Sequence, residues 1–396
     1  MGPAAAAFDS SSYLLTFLNT ATLSFLSLSN GDEERTRVIR SHAIILAAIC
    51  GTVLGVSLFG LAKPLTRLVG ATPEMLPHSV SYLRVRAVGA PIERATSVLT
   101  SFCLAAKDGA TPLAVTLVGL VVNIIGDALL CRRYGLIGVA LASVCASTVG
   151  LAYLIYSLMK GGLWPRPLSW PSGRGDVLPF LKFAGPVLFA VFLKTTALAN
   201  MTACASTLGA SAAAAHQIYS TLFLLSAVAL GNPFSWAAQA FLPPLLAAQE
   251  RPRGSSVEAL VGILGSAVTA SVVMCALVVA FCRTFAWVAT NDPLVLRELA
   301  RSSLALIPFV TLYPVLLTLE GMLYGAQKCG PVLVLSFVFW WLSSALLFFL
   351  RRMNLLSLST IWLSSGLACG VATVLTAVPA MRAMSGEVSA RRRRGS

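Results

Sequence analysis

A lysine and a glutamate, each far from the ends of a long apolar run, are the two residues whose chemistry stands out in this sequence. Lys194 lies 16 residues beyond Leu178, where one run begins, and Glu320 sits in the run from 297 to 324. A charge at membrane depth is costly enough to be a functional hypothesis by default. Carried on two helices of one lobe, the two groups can pair in a low-dielectric cavity. Such a pair is a switch, because a proton on Glu320 frees Lys194 to hold an anion. A static structural ion pair is the bland alternative, and the residues alone do not choose between them. Asn123 and Asp127 are four apart, on one helix face, placed to share a polar contact lining the other lobe. Arg132 and Arg133 end the same run, with side chains long enough to reach back toward Asp127 while their guanidinium groups stay near the headgroups. Arg86 either faces a watery cleft and attracts anions or anchors at the headgroups. Glu93-Arg94 reads as a local charge pair beside a bend at Pro91. His216 and Gln217 open a run just after the short turn Gly209–Ala212, where a histidine either titrates near neutral pH or is simply satisfied at a helix end. No H-E-x-x-H, no G-x-S-x-G and no acids at protease spacing occur, so no catalytic residue is assigned. The nine cysteines include no C-x-x-C pair and no Cys/His cluster, so neither a metal site nor a disulfide scaffold is expected.

The elements that position these residues follow from composition. Of 396 residues 57% are hydrophobic and 11% charged, which excludes an ordinary soluble globule with about a quarter of its residues charged. The net charge of +14 falls mostly between apolar runs, so it reads as a topology signal and not as a nucleic-acid surface. Runs of roughly 20 apolar residues, the length needed to cross about 30 Å of hydrocarbon, recur eleven times. They lie near 10–29, 41–62, 78–106, 112–131, 137–159, 178–208, 212–244, 256–282, 297–324, 331–350 and 357–381. The polar connection 160–177, with Trp164, Pro165, Pro167, Pro171 and Gly173, is the hinge between two lobes. Lysines and arginines concentrate in the loops after odd-numbered runs and in the tail 382–396, which places the C-terminus on the side of synthesis. The run Arg391 to Arg394 reads as an anchor near anionic lipid. Trp236, Trp287, Trp340, Trp341 and Trp362 read as interfacial anchors or packing residues.

The two lobes are expected to be repeats. Lys107–Ala140 lies without gaps on residues 219 positions later, carrying Pro112 onto Pro331, Arg132-Arg133 onto Arg351-Arg352 and Leu136 onto Leu355. The apolar-to-polar exit at Ser29–Glu33 falls near that at Ala248–Pro252. By that offset the run 178–208 has no partner in the first lobe. The expected design is two six-helix lobes lacking the first helix, five helices at 1–159 and six at 178–381.

The stretch Leu83-Arg84-Val85-Arg86-Ala87-Val88-Gly89-Ala90-Pro91, followed by Ala106-Lys107-Asp108, Asn123, Gly126-Asp127 and Gly135-Leu136-Ile137-Gly138, resembles the first-lobe signature of multidrug and toxin extrusion (MATE) transporters. Ala214-Ala215-His216-Gln217-Ile218, Ala238-Gln239-Ala240-Phe241-Leu242-Pro243 and Leu319-Glu320-Gly321-Met322-Leu323-Tyr324-Gly325 are similar to its plant and algal plastid branch, which includes a salicylate exporter. The resemblance runs from Tyr13 to about Met381. It implies twelve helices in two lobes around a V-shaped cleft, working by alternating access on a proton or sodium gradient. Other branches carry an acidic residue in the helix that holds Lys194, so its absence disfavours sodium.

The fold class expected is therefore all-α and polytopic, two pseudo-symmetric helical lobes of about eleven transmembrane helices. The function expected is a secondary active antiporter that exports a small organic solute, an aromatic or carboxylic anion or drug-like molecule, in exchange for protons. Lys194, Glu320, Asp127, Asn123, Arg86, His216 and Gln217 are its candidate coupling residues. A monomer in the lipid bilayer is expected, with no cofactor beyond the proton gradient, no nucleic-acid partner, and placement in the chloroplast envelope. The rival readings are a non-transporting, degenerate relative of a transporter and a flippase for lipid-linked precursors.

Overall fold

A bilayer core offers no water to the backbone, so a chain this apolar must close its hydrogen bonds within helices. The computed structural model describes residues 2–29, 31–70, 73–170, 174–247 and 253–392, and among them it is helical with no strand. Compactness divides the chain into two units, Met1–Leu188 and Phe189–Ser396. The first holds α1 (Gly2–Leu14), α2 (Phe17–Leu28), α3 (Glu33–Gly60), the short α4 (Ala62–Leu68), α5 (Leu76–Ala105), α6 (Ala110–Tyr134), α7 (Leu136–Lys160) and the first part of α8 (Arg174–Ser206). The second holds the rest of α8, then α9 (Ala210–Ser226), α10 (Asn232–Ala247), α11 (Arg253–Ala280), α12 (Pro293–Ser302), α13 (Ile307–Gly325), α14 (Cys329–Arg352) and α15 (Leu358–Arg392). The exit at Ala248–Pro252, Pro171 to Gly173 of the inter-lobe loop, and Arg393-Arg394 of the tail lie outside the described residues.

Nine helical segments among the described residues are long and apolar enough to cross a membrane. Two of the eleven expected runs fall short of that measure, for visible reasons. The first breaks at Leu15-Thr16, where Thr16 turns both its amide and its hydroxyl back onto the Tyr13 carbonyl, leaving helices of 13 and 12 residues. The third, α5, carries Arg84, Arg86, Glu93 and Arg94, whose charges lower its hydropathy.

The first unit closes at the end of α7 with the polar loop that follows it. Arg37 of α3 holds that loop, donating to the Pro167 carbonyl at 2.7 Å and to the Ser169 hydroxyl at 2.8 Å. The beginning of α8 then packs on α2, with Phe25 against Phe180 and Phe183 at centroid distances of 4.8 and 5.7 Å. This packing keeps α8 in the first unit as far as Leu188. Deeper in that unit α3 crosses α5 at Pro91. A Cβ on Gly51 would lie 2.7 Å from the Pro91 Cα, so the crossing requires glycine.

In the second unit the core is aromatic. Phe223 stacks on Phe309 at 4.3 Å, and Tyr313 and the wholly buried Trp362 pack edge-on to Phe223. Trp287 and Trp341 face outward. A π-type turn at Ala227–Gly231 separates α9 from α10 just before Pro233, a widening that recurs at functional sites.

The same helix ending occurs in both units. After α5, Lys107 takes a φ of 63° and the Asp108 amide donates to the Cys103 carbonyl at 2.8 Å. After α13, Gln327 takes a φ of 54° and the Lys328 amide donates to the Leu323 carbonyl at 2.8 Å. Each is a left-handed cap that satisfies carbonyls the helix leaves open. The next helices start at Ala110 and Cys329, at the spacing of the sequence repeat, and Gly135 and Asn354 both take positive φ near their ends.

Candidate functional site: a buried lysine–glutamate pair

Helix α13 is the central element of the second unit, with every side chain from Tyr313 to Gly325 buried. Its one charge is Glu320. Helix α10 lies so close on α13 that a Cβ on Gly321 would collide with the Ser235 carbonyl. Beside that contact, the buried Gln239 donates from its amide nitrogen to the Ser235 carbonyl and hydroxyl at 3.2 and 3.3 Å. Helix α8 supplies Lys194, whose Nζ meets the Glu320 Oε2 at 2.6 Å. Lys194 is 4% exposed and Glu320 3%. On α15, the buried Cys369 lies within electrostatic reach of both charges, and Thr373, one turn on, donates to the Cys369 carbonyl at 2.7 Å.

Taking two charges out of water costs several kcal/mol per ion, and attraction repays this only when the geometry is good. Removing one partner then strands the other at a cost of about 3–5 kcal/mol. The arrangement is therefore stable as a pair and unstable as two separate charges. Any group that displaces one member must balance the charge it leaves.

The other expected residues sit as follows. Arg86 pairs with Glu93 at 2.7 Å, its guanidinium carbon 4.2 Å from the centre of the Phe8 ring. This corrects the expected Glu93-Arg94 pair. Neighbours in sequence point about 100° apart on a helix, whereas residues seven apart share a face. Arg94 instead donates to the Ser12 carbonyl at 3.2 Å. Asn123 donates to the Ser143 hydroxyl of α7 at 3.4 Å, and Asp127 has a buried Oδ1 with no partner. Arg132 and Arg133 make no ion pair with Asp127. His216 is 2% exposed, with Nε2 at 3.1 Å from the Thr202 hydroxyl and 3.2 Å from that of Ser220, and its ring 5.6 Å from Trp362. It belongs to the aromatic core. Gln217 points outward. Sequence reasoning missed the second face of the site, Ser235 and Cys369 with Thr373. Cys369 and Thr373, four apart and so on one face of α15, were the available signal.

The MatE family pattern matches residues 4–129. Protein DETOXIFICATION 47, chloroplastic, of Arabidopsis thaliana is 27% identical over 338 residues, covering 83% of this chain and 61% of that protein. Protein DETOXIFICATION 43 of the same plant is 32% identical over 207 residues, covering 50% of this chain and 38% of its own length. The chain thus spans about three-fifths or less of the length of these relatives. Among solved structures, a MATE protein in the straight conformation superposes with a TM-score of 0.84 at 18% identity over 98% of this chain and 87% of that one. A MOP superfamily transporter from Pyrococcus furiosus superposes with a TM-score of 0.82 at 18% identity over 97% and 88%. The helical fold, the family pattern over residues 4–129 and plant relatives along most of its length make this chain similar to MATE proteins, and its apolar helices make it a multipass integral membrane protein.

Proposed function

We propose that the protein is a secondary active transporter that exports a small organic solute, an aromatic or carboxylic anion, with protons as the coupling ion and the Lys194–Glu320 pair as the coupling site. The observation that carries this reading is the 2.6 Å contact between two charges that are each almost wholly buried. In a packed apolar interior only charge-balanced states are accessible at low cost. One is the ion pair itself. The other has a proton on Glu320 and a solute carboxylate on Lys194. A solute that takes Lys194 leaves a carboxylate that must be protonated, so proton and anion favour each other by the same factor in either order.

This sign departs from the exchange of solute for protons expected from the sequence. Exchange would require a loaded site with Glu320 still ionised, hence two negative groups on one ammonium. Both modes let a pH gradient drive transport, with opposite polarity. In proteoliposomes carrying radiolabelled benzoate, charge balance at the pair predicts movement in the direction of proton flow, and exchange predicts the reverse. Glu320→Gln is expected to remove the pH drive and Lys194→Met to remove anion transport. Full proton-driven transport by Glu320→Gln would eliminate the assignment. A non-transporting role predicts no flux under any gradient. A lipid-linked-precursor flippase would move headgroup-labelled lipid instead. The chloroplastic relative supports placement in the plastid envelope, tested by microscopy of a fluorescent fusion.

A further inference from the structure

The first unit holds a second group of charges, one buried and two partly buried, that the pair in the other unit does not use. A cavity of about 410 Å³ opens between α5, α6 and α7, lined by Arg86, Glu93, Arg94, Ser97, Thr116 and Asn123 among others. Arg86 and Glu93 neutralise each other at 2.7 Å. Arg94 has no such partner: it is 8% exposed, and among the described residues no carboxylate lies within ion-pair distance of it. Its one hydrogen bond is to the Ser12 carbonyl at 3.2 Å, and its Nε has no partner. A guanidinium carries five N–H donors and does not escape burial by losing its proton. Glu93, next in sequence, lies within electrostatic reach of Arg94 but touches Arg86 instead, so the wall of this cavity presents two guanidinium groups against one carboxylate, where buried charges are ordinarily paired.

We propose that this cavity binds a small monovalent anion, chloride or a short carboxylate, on the Arg94 guanidinium. Monovalency follows from the charges lining it, because the Arg86–Glu93 pair leaves a net charge of one. The hydroxyls serve through water. Ser97 donates to the Glu93 carbonyl and Thr116 to the Pro112 carbonyl, each at 3.0 Å, so both turn lone pairs and not hydrogens toward the cavity. They hold the hydration of the anion while Arg94 supplies the charge-assisted hydrogen bonds, which are the strong ones.

The test is thermal unfolding of the purified full chain in detergent, in sodium chloride and sodium acetate against sodium gluconate at equal ionic strength. A saturable upward shift of the unfolding midpoint is expected with chloride, with acetate or with both, and the salt that gives it identifies the ligand. In Arg94→Gln the half-maximal concentration is expected to rise about tenfold or more, the loss of a charged hydrogen bond. In Lys194→Met, which removes the anion-holding group of the other unit, the shift is expected to persist, which separates this site from the transport reading. Should Arg94→Gln fail to fold, bromide-soaked crystals of the unaltered protein decide, through an anomalous peak in contact with the Arg94 guanidinium. Identical midpoints in all salts, a shift that survives in Arg94→Gln, or no bromide at Arg94 would each overturn the proposal.

Discussion

Replacing Lys194 by methionine leaves Glu320 alone in the core of the second unit, and the structure bounds the consequence. The side chain is 3% exposed and its ammonium partner stood 2.6 Å away. A charge of either sign left alone there costs about 3–5 kcal/mol, so Lys194→Met and Glu320→Gln are each expected to lose that much stability. The double variant Lys194→Met/Glu320→Leu should recover most of either loss, giving a coupling energy of about 3 kcal/mol. Unfolding by dodecyl sulfate in mixed micelles, followed by tryptophan fluorescence, measures all four proteins. If each single variant cost under about 1 kcal/mol and the double variant cost their sum, the two groups would not be a buried, coupled pair.

Two further outcomes concern the repeated helix endings. Gln327 sits in the left-handed region with a φ of 54°, so Gln327→Gly should stabilise the protein by about 0.5–1 kcal/mol, and a loss in the same unfolding assay would refute the cap. Asp108 accepts hydrogen bonds from the Ala110 and Thr111 amides, both at 3.0 Å, at the start of α6. Its bonds to the Thr111 side chain and to these amides hold its carboxyl below the usual carboxylate range, against a smaller opposing effect of burial. A lowered folded-state value means that the contribution is present above the unfolded value near 3.9 and lost as pH falls through the lowered one. Asp108→Ala should accordingly cost about 0.5–1 kcal/mol at pH 7 and progressively less below about pH 4, and a cost independent of pH would exclude the charge from the cap.

Much of the helix layout was legible because hydropathy and turn chemistry act over neighbouring residues. The apolar runs coincide with helices, and α6 and α14 begin at the spacing that the repeat of Pro112 on Pro331 already carried. Where a run was not a clean span, the residues responsible stood in plain view, Thr16 in one case and four charges in another. The Lys194–Glu320 pair was readable as well, since few charges lie so far from the ends of a run and each needs a partner.

Partner choice among crowded charges was not readable from the chain. Glu93 stands beside Arg94 in sequence and pairs with Arg86, while Arg94 reaches a carbonyl at the end of α1 that lies 82 residues away. His216 looked like a group at a helix end and is instead a member of an aromatic core built with Trp362 from α15. Which residues span lipid depends on local apolarity and on the backbone's need to bond to itself, so the order of amino acids alone determines it. Which charge meets which, and whether it faces a cavity or a neighbouring ring, depends on the rotation of each helix about its own axis. That rotation is set by contacts such as Gly51 on Pro91 and Gly321 on Ser235, which exist only after the helices have packed.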